Sequence, residues 1–238
     1  MVFLKHVRRV SLPVLFTPFL TAMHWESLIE VPCLYDDKNT KAIKNLWVDI
    51  KSENILLDFD FETDACSSFS LCDFGIATFF NENTICTEYC GSSGFFSPEM
   101  VLNERYAPSS NDMWGIGAIL LEMVLGHAAF EKNWMFAYRE DVLHEAEVFF
   151  GQINHAVADL PDLLKQRSFS SDLQDVLMRL LDIDPGKRMR MAELQKHPWI
   201  ADAMAQSRPK NEDNEAPSPT DADMLKLPMI EYHRKEMS

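Results

Sequence analysis

The sequence predicts a mainly α fold with one short β-hairpin set into it. Three observations carry that prediction. The run Met113–Leu125 (M-W-G-I-G-A-I-L-L-E-M-V-L) is apolar nearly all round, which marks a helix buried on every side. Apolar residues at 173, 176, 177, 180 and 181 recur at helical spacing. Two short runs, Ile55–Leu57 and Phe69–Cys72, read as strands that pair back on one another.

The elements follow in chain order. Lys5, Arg8 and Arg9 precede an apolar run from Val10 to Met23, broken by Pro13 and Pro18. That run is too short and too interrupted for a membrane span. A cationic start before an apolar stretch also has the form of a signal peptide, but no small-residue cleavage site follows. The expectation is a divergent N-terminal segment over residues 1–39 of an intracellular protein, cytoplasmic or nuclear. Pro32–Thr40 reads as a loop and Thr40–Leu46 as the end of a helix. Trp47–Asp58 (W-V-D-I-K-S-E-N-I-L-L-D) is a polar segment running into the first strand.

Asp58–Ser68 is acidic and serine-rich and reads as an exposed loop. Asn81–Ser93 is polar and aperiodic. Ser110, Asn111 and Asp112 are candidates to cap the long apolar helix, and Gly126 to end it. Gly115 and Gly117 cost helix propensity, so their presence implies close packing. Weaker helical signals cover about 134–155, a stronger one Ser170–Leu181, and a last one about 191–196. Residues 201–238 form an acidic tail whose stretch 202–224, rich in Pro, Ser, Asp, Asn and Glu, reads as disordered.

At 238 residues, with 47% hydrophobic and 25% charged residues, the chain fits one globular domain plus tails. The net charge of -15 argues against nucleic acid or an anionic membrane as the main partner. It permits basic protein partners. Cysteines at 33, 66, 72, 86 and 90 are odd in number and contain no C-x-x-C pair. That argues against a disulfide framework or a structural zinc site and favours a reducing compartment. Cys86 and Cys90 flank Thr87, as redox-sensing thiols or as two ordinary ones.

The chemistry-bearing residues fall in five signals in one order: D-I-K-S-E-N at 49–54, D-F-G at 73–75, S-P-E at 97–99, D-M-W-G-I-G at 112–117, and D-P-G-K-R-M-R-M-A-E-L-Q-K-H-P-W-I at 184–200. Together they resemble the larger, helical lobe of a eukaryotic protein kinase, over about Thr40 to Ile200. Lysine two residues after Asp49 is similar to the serine/threonine class. The resemblance implies that Asp49 orients or accepts the proton of a substrate hydroxyl, while Lys51 neutralises charge on the moving phosphoryl group. Asn54 and Asp73 would hold Mg2+, and with it ATP. A protein substrate or signalling partner is implied, with no nucleic acid or membrane. Glu99 and Arg188 resemble the family's buried ion pair, and Asp112 would bond the catalytic-loop backbone. H-P-W-I at 197–200 is a packing motif. Thr84 and Thr87 sit where relatives are often phosphorylated.

Departures from the family pattern shape the functional expectation. Trp47-Val48 stands in place of His-Arg, so a phosphate on the loop would lack its arginine partner. Ser97 replaces an alanine. Residues 1–45 contain no G-x-G-x-x-G. Val2–Lys5 resembles the strand that carries the nucleotide lysine, but too few positions separate it from Asp49 for a small lobe. The fold expected is therefore a kinase-like large lobe with an incomplete or absent N-terminal β lobe. The function expected is ATP-dependent phosphoryl transfer to protein serine or threonine hydroxyls, impaired by that loss. The alternative is a catalytically inactive pseudokinase acting as a binding or scaffold protein.

Overall fold

The computed structural model describes residues 2–3, 46–47, 49–60, 65–73, 75–76, 78–79, 83–102 and 105–200. The fold is mainly helical, with short strands beside the polar segment at 49–54. The expectations for residues 4–45, where a small lobe or its remnant would fall, and for the tail at 201–238 lie outside the described residues.

Five strands are described: β1 (Val2–Phe3), β2 (Leu46–Trp47), β3 (Ile55–Asp60), β4 (Ala65–Leu71) and β5 (Thr78–Phe79). β3 and β4 form the expected antiparallel hairpin, with Ile55 opposite Leu71 and Leu57 opposite Phe69. The hairpin is longer than its apolar runs. Its strands extend to Asp60 and from Ala65, where a loop over 58–68 was expected. Asp58-Phe59-Asp60-Phe61 alternates polar and apolar with the period of a strand, and the acidic composition masks it. A register shift at Asp58/Phe59 absorbs the irregularity. Val2–Phe3 pairs with Leu56–Leu57 of the same sheet. Leu46, expected to close a helix, instead begins β2, which pairs with β5.

The helices are α1 (Pro98–Leu102), α2 (Pro108–Leu125), α3 (His127–Asn133), α4 (Glu140–Leu143), α5 (Ala146–Lys165), α6 (Ser171–Leu180) and α7 (Met191–Leu194). α2 is the buried axis that its composition implied. Of its residues only Ser109 is exposed, and it packs on α3 and α6. A methyl group added at Gly117 would lie 2.9 Å from Leu180 Cβ and from Leu181 Cδ2. The glycine is there so that α6 can come that close.

α2 begins two residues before the expected caps. Ala107 is its N-cap and Pro108 its first residue, a position where the missing N–H costs nothing and the fixed φ helps. The polar side chains at 110–112 are engaged elsewhere. Ser110 meets Arg188, Asn111 accepts from the backbone N–H of Ser97, and the Asp112 carboxylate is buried inside the fold. Gly126, at φ 78, ends the helix as expected.

α5 also differs, running to Lys165 and through Pro161. Its buried residues Phe149, Ile153, Ala156, Leu160 and Leu164 form one stripe that continues past the proline. A mid-helix proline costs about 3 kcal/mol, and packing of that stripe outweighs it. α6 matches its expected span, capped by Ser170, whose hydroxyl accepts from Leu173 N–H.

The late segment is tied to α1 and α2 by Arg188. Its guanidinium forms a two-pronged pair with Glu99, at 2.7 Å to Oε1 and 2.8 Å to Oε2. It also donates to the carbonyls of Ser110 and Asp182 and lies 4.9 Å over the Trp114 ring. Both side chains are almost fully buried. His197 is a packing residue. Trp199 N–H donates to its Nδ1, so Nε2 carries the hydrogen toward Asp175.

Candidate active site

The segment at 49–54 is built by local backbone geometry. The chain enters it extended, with Lys51 at φ -150 and ψ 161, and successive side chains of an extended segment point to opposite faces. Ile50 points the other way and is buried. Asp49 and Lys51 therefore meet, with Nζ 3.0 Å from Oδ2. A single 3₁₀ turn, Ser52–Asn54, then folds the chain back. It brings Asn54 Nδ2 within 2.9 Å of the Asp49 carbonyl, to which it donates. The amide group is thus spent on holding the loop. Asn54 Oδ1 takes no hydrogen bond from the described residues.

A fourth residue completes the arrangement. Ser92 N–H donates to Asp49 Oδ1 at 3.0 Å, and Ser92 Oγ donates to Asp49 Oδ2 at 2.9 Å. Lys51 Nζ donates to the same Oγ at 2.7 Å. A carboxylate has about four acceptor positions. Three are taken, two on Oδ2 and one on Oδ1. One position on Oδ1 remains for an incoming hydroxyl. Sequence reading missed Ser92, because G-S-S-G in an aperiodic loop carries no signal. Only the fold brings the two stretches together.

The packing under this cluster explains Gly115. A methyl group there would lie 3.2 Å from the Ile50 carbonyl oxygen and 3.3 Å from that of Phe95. The backbones of the Asp49 loop and of the Ser92 loop both rest on α2 at that point.

Asp73 stands apart from the other three. The hairpin register carries it close in the chain: Cys72 N–H donates to the Asn54 carbonyl at 2.9 Å, and Asp73 follows. Its backbone is left-handed, at φ 61, which a non-glycine residue adopts at a cost. Its exposed carboxylate accepts from Gly75 N–H at 3.3 Å and makes no described contact with Asp49, Lys51 or Asn54. The structure thus joins Asp49, Lys51 and Asn54 directly and puts Asp73 next to them in the hairpin. Asn54 and Asp73 offer hard oxygen donors of the kind Mg2+ takes, usually one or two from protein with phosphate completing the shell.

Asp112 corrects an expectation. Both of its carboxylate oxygens are buried without a hydrogen-bond partner, so no bond to the catalytic-loop backbone is made among the described residues. Burial alone pushes its carboxyl well above the usual carboxylate range. The thiols also fall on the structural side. Cys72, Cys86 and Cys90 are free. Burial pushes the Cys86 and Cys90 thiols up, away from the thiolate form that reacts with oxidants. Thr87 is exposed. Val48 and the Trp47 side chain lie outside the described residues.

The comparisons with known proteins decide the family. The model of the protein kinase domain matches residues 42–200. The chain belongs to the protein kinase family. Among curated relatives, it is 30% identical over 152 residues to the mitosis inducer protein kinase cdr1 of Schizosaccharomyces pombe, covering 64% of this chain and 22% of that protein. It is 30% identical over 156 residues to the CBL-interacting serine/threonine-protein kinase 18 of Arabidopsis thaliana, covering 64% of this chain and 26% of that protein. It is 27% identical over 152 residues to the serine/threonine-protein kinase SIK1 of Mus musculus, covering 64% and 17%. The chain therefore spans about a quarter or less of the length of these kinases. The family generally uses ATP and Mg2+ and acts on proteins, which gives the oxygen donors at 54 and 73 their context.

Proposed function

We propose that this kinase-family chain catalyses ATP-dependent phosphoryl transfer to serine or threonine hydroxyls of proteins. The supporting observation is the network of Asp49, Lys51 and Ser92, with one acceptor position open on Asp49 Oδ1. In this reading a substrate hydroxyl donates to that position, and Asp49 orients its oxygen and takes its proton. Lys51 adds positive charge beside the reacting oxygen, where negative charge builds in the transition state. Asn54 Oδ1 and Asp73 are the residues that would hold Mg2+. When bound, that ion neutralises charge on the nucleotide's phosphates. Ser92 keeps the Asp49 carboxylate from rotating, so the open position stays aimed.

The test is transfer of labelled phosphate from ATP to a mixed set of serine and threonine peptides. Asp49→Asn removes the proton acceptor and lowers the rate by about 10²–10⁴-fold, the usual worth of a general base. Asp73→Ala abolishes incorporation. Wild-type protein that incorporates no more label than Asp73→Ala defeats the proposal.

A second reading is a pseudokinase that binds a partner without transferring phosphate. One observation favours it: the exposed Asp73 carboxylate accepts from Gly75 N–H and makes no described contact with Asp49, Lys51 or Asn54. Titration with ATP and Mg2+ separates the two, since tight metal-dependent nucleotide binding counts against this second reading.

A further inference from the structure

The stretch Gly91–Ser97 (G-S-S-G-F-F-S) has to hold Ser92 on Asp49, yet it contains no helix or strand and two glycines. Left to itself such a segment samples many conformations. Its hydrogen bonds explain why it does not. Trp134 Nε1–H donates to the Gly94 carbonyl at 2.9 Å. Tyr138 O–H donates to the Phe96 carbonyl at 3.1 Å. Trp114 Nε1–H donates in turn to the Tyr138 hydroxyl at 3.0 Å, which fixes the direction of that group. All three donors are buried.

The packing repeats the pattern. Phe96 meets Tyr138 edge-on with ring centres 5.2 Å apart, and Tyr138 meets Trp134 at 5.9 Å. Gly94 has φ +91, and a Cβ there would collide with Met135 Sδ. So the segment lies directly on the 3₁₀ turn Met135–Tyr138, between α3 and α4, which carries Tyr138 and has Trp134 as its N-cap. Three aromatic side chains with a polar atom are used where apolar ones would fill the same space. A polar group is buried at a cost unless its hydrogen bond is made, and here each bond ends on this one loop or on the residue that holds it.

We propose that Trp134 and Tyr138 are positioning residues for the phosphoryl-transfer site. The turn and its N-cap clamp Gly91–Ser97 from beneath and, through Ser92, set the Asp49 carboxylate. The catalytic half of this inference rests on the function proposed above, and the clamp itself does not.

The experiment is hydrogen–deuterium exchange on the full chain, wild type against Trp134→Phe and Tyr138→Phe. Each variant keeps a ring and drops the donor. The reporters are the amides of Ser92, Phe95 and Ser97, bonded to Asp49 Oδ1, Ser92 O and Asn111 Oδ1. The control is α6. The clamp predicts about tenfold faster exchange at the three reporters in at least one variant, the factor given by one net hydrogen bond, with α6 unchanged. Exchange at the reporters within about twofold of wild type, or a rise shared equally by α6, overturns it, because a purely structural role loosens the whole core. Peptide kinetics read the catalytic half: a lower kcat with unchanged nucleotide affinity supports it, and an unchanged kcat in a variant whose reporter amides have loosened counts against it. Reporter amides that loosen in a wild-type background without transferase activity leave the clamp standing and remove the proposed function. Either variant alone suffices if the other does not fold.

Discussion

Replacing Glu99 by glutamine tests the electrostatics of the core at one point. The side chain keeps its shape, but one oxygen becomes an NH2 group facing the guanidinium of Arg188. In the wild type the two oxygens sit 2.7 and 2.8 Å from Arg188 nitrogens, with both side chains almost fully buried. The substitution removes one charge-assisted hydrogen bond, worth about 1.5–3 kcal/mol. It also leaves a buried cation whose remaining partners are carbonyls, a hydroxyl and the Trp114 ring. Breaking one side of a buried pair costs about 3–5 kcal/mol in total. For a domain of this size that is a fall in Tm of roughly 6–20 °C. Urea melts followed by Trp fluorescence and a calorimetric scan measure it. The double variant Glu99→Leu, Arg188→Met is expected to lose less than Glu99→Gln, because no charge is left stranded. Its recovery is partial, since the Ser110 and Asp182 carbonyls lose their donor. A Glu99→Gln loss below about 1 kcal/mol, in the range of exposed pairs, would refute the reasoning.

Further consequences are open to measurement. Asp112 holds its proton far more tightly in the fold than in the unfolded chain, so stability falls as pH rises above about 4, the ordinary carboxylate range. Asp112→Asn removes that dependence, and its advantage over wild type grows by up to about 1.4 kcal/mol per pH unit in urea melts until the carboxyl ionises in the fold; an advantage that is flat with pH contradicts the assignment. Gly117→Ala forces Leu180 and Leu181 back and destabilises by about 1–3 kcal/mol, read by the same melts. Gly115→Ala pushes on the Ile50 and Phe95 carbonyls, and it is expected to lower phosphate transfer more than stability. Ser92→Ala removes the hydroxyl between Lys51 and Asp49 and is expected to reduce transfer with little loss of stability; unchanged transfer argues against the network.

Much of this molecule is legible from short-range pattern. The nearly all-apolar run at 113–125 reads as a buried helix, and the spacing at 173–181 suits a helix with one buried face. The glycines at 115 and 117 announced close approach, and the atoms that approach are Ile50 O, Phe95 O and the Leu180–Leu181 pair. Asp49, Lys51 and Asn54 lie within six residues, where an extended step and one 3₁₀ turn suffice to bring them together. Local composition misled in three places, each for a tertiary reason. The polar trio at 110–112 looked like caps, but buried partners claim those side chains or enclose them. The helical signal at about 134–155 stopped short, but a stripe of apolar packing carries α5 through Pro161 to Lys165. The acidic stretch at 58–68 looked like a loop, but strand pairing takes up most of it.

The sequence by itself determined which polar groups gather at 49–54 and which helix they lean on, because those features depend on neighbours a few residues apart. Only the tertiary structure decided that Ser92 closes the Asp49–Lys51 pair, that Trp134 and Tyr138 grip the loop carrying it, and that Asp112 is left without a hydrogen-bond partner among the described residues. Those contacts join residues more than 20 positions apart or depend on what fails to arrive, and hydrogen bonds across such distances follow from the packing of whole helices, which no local spacing encodes.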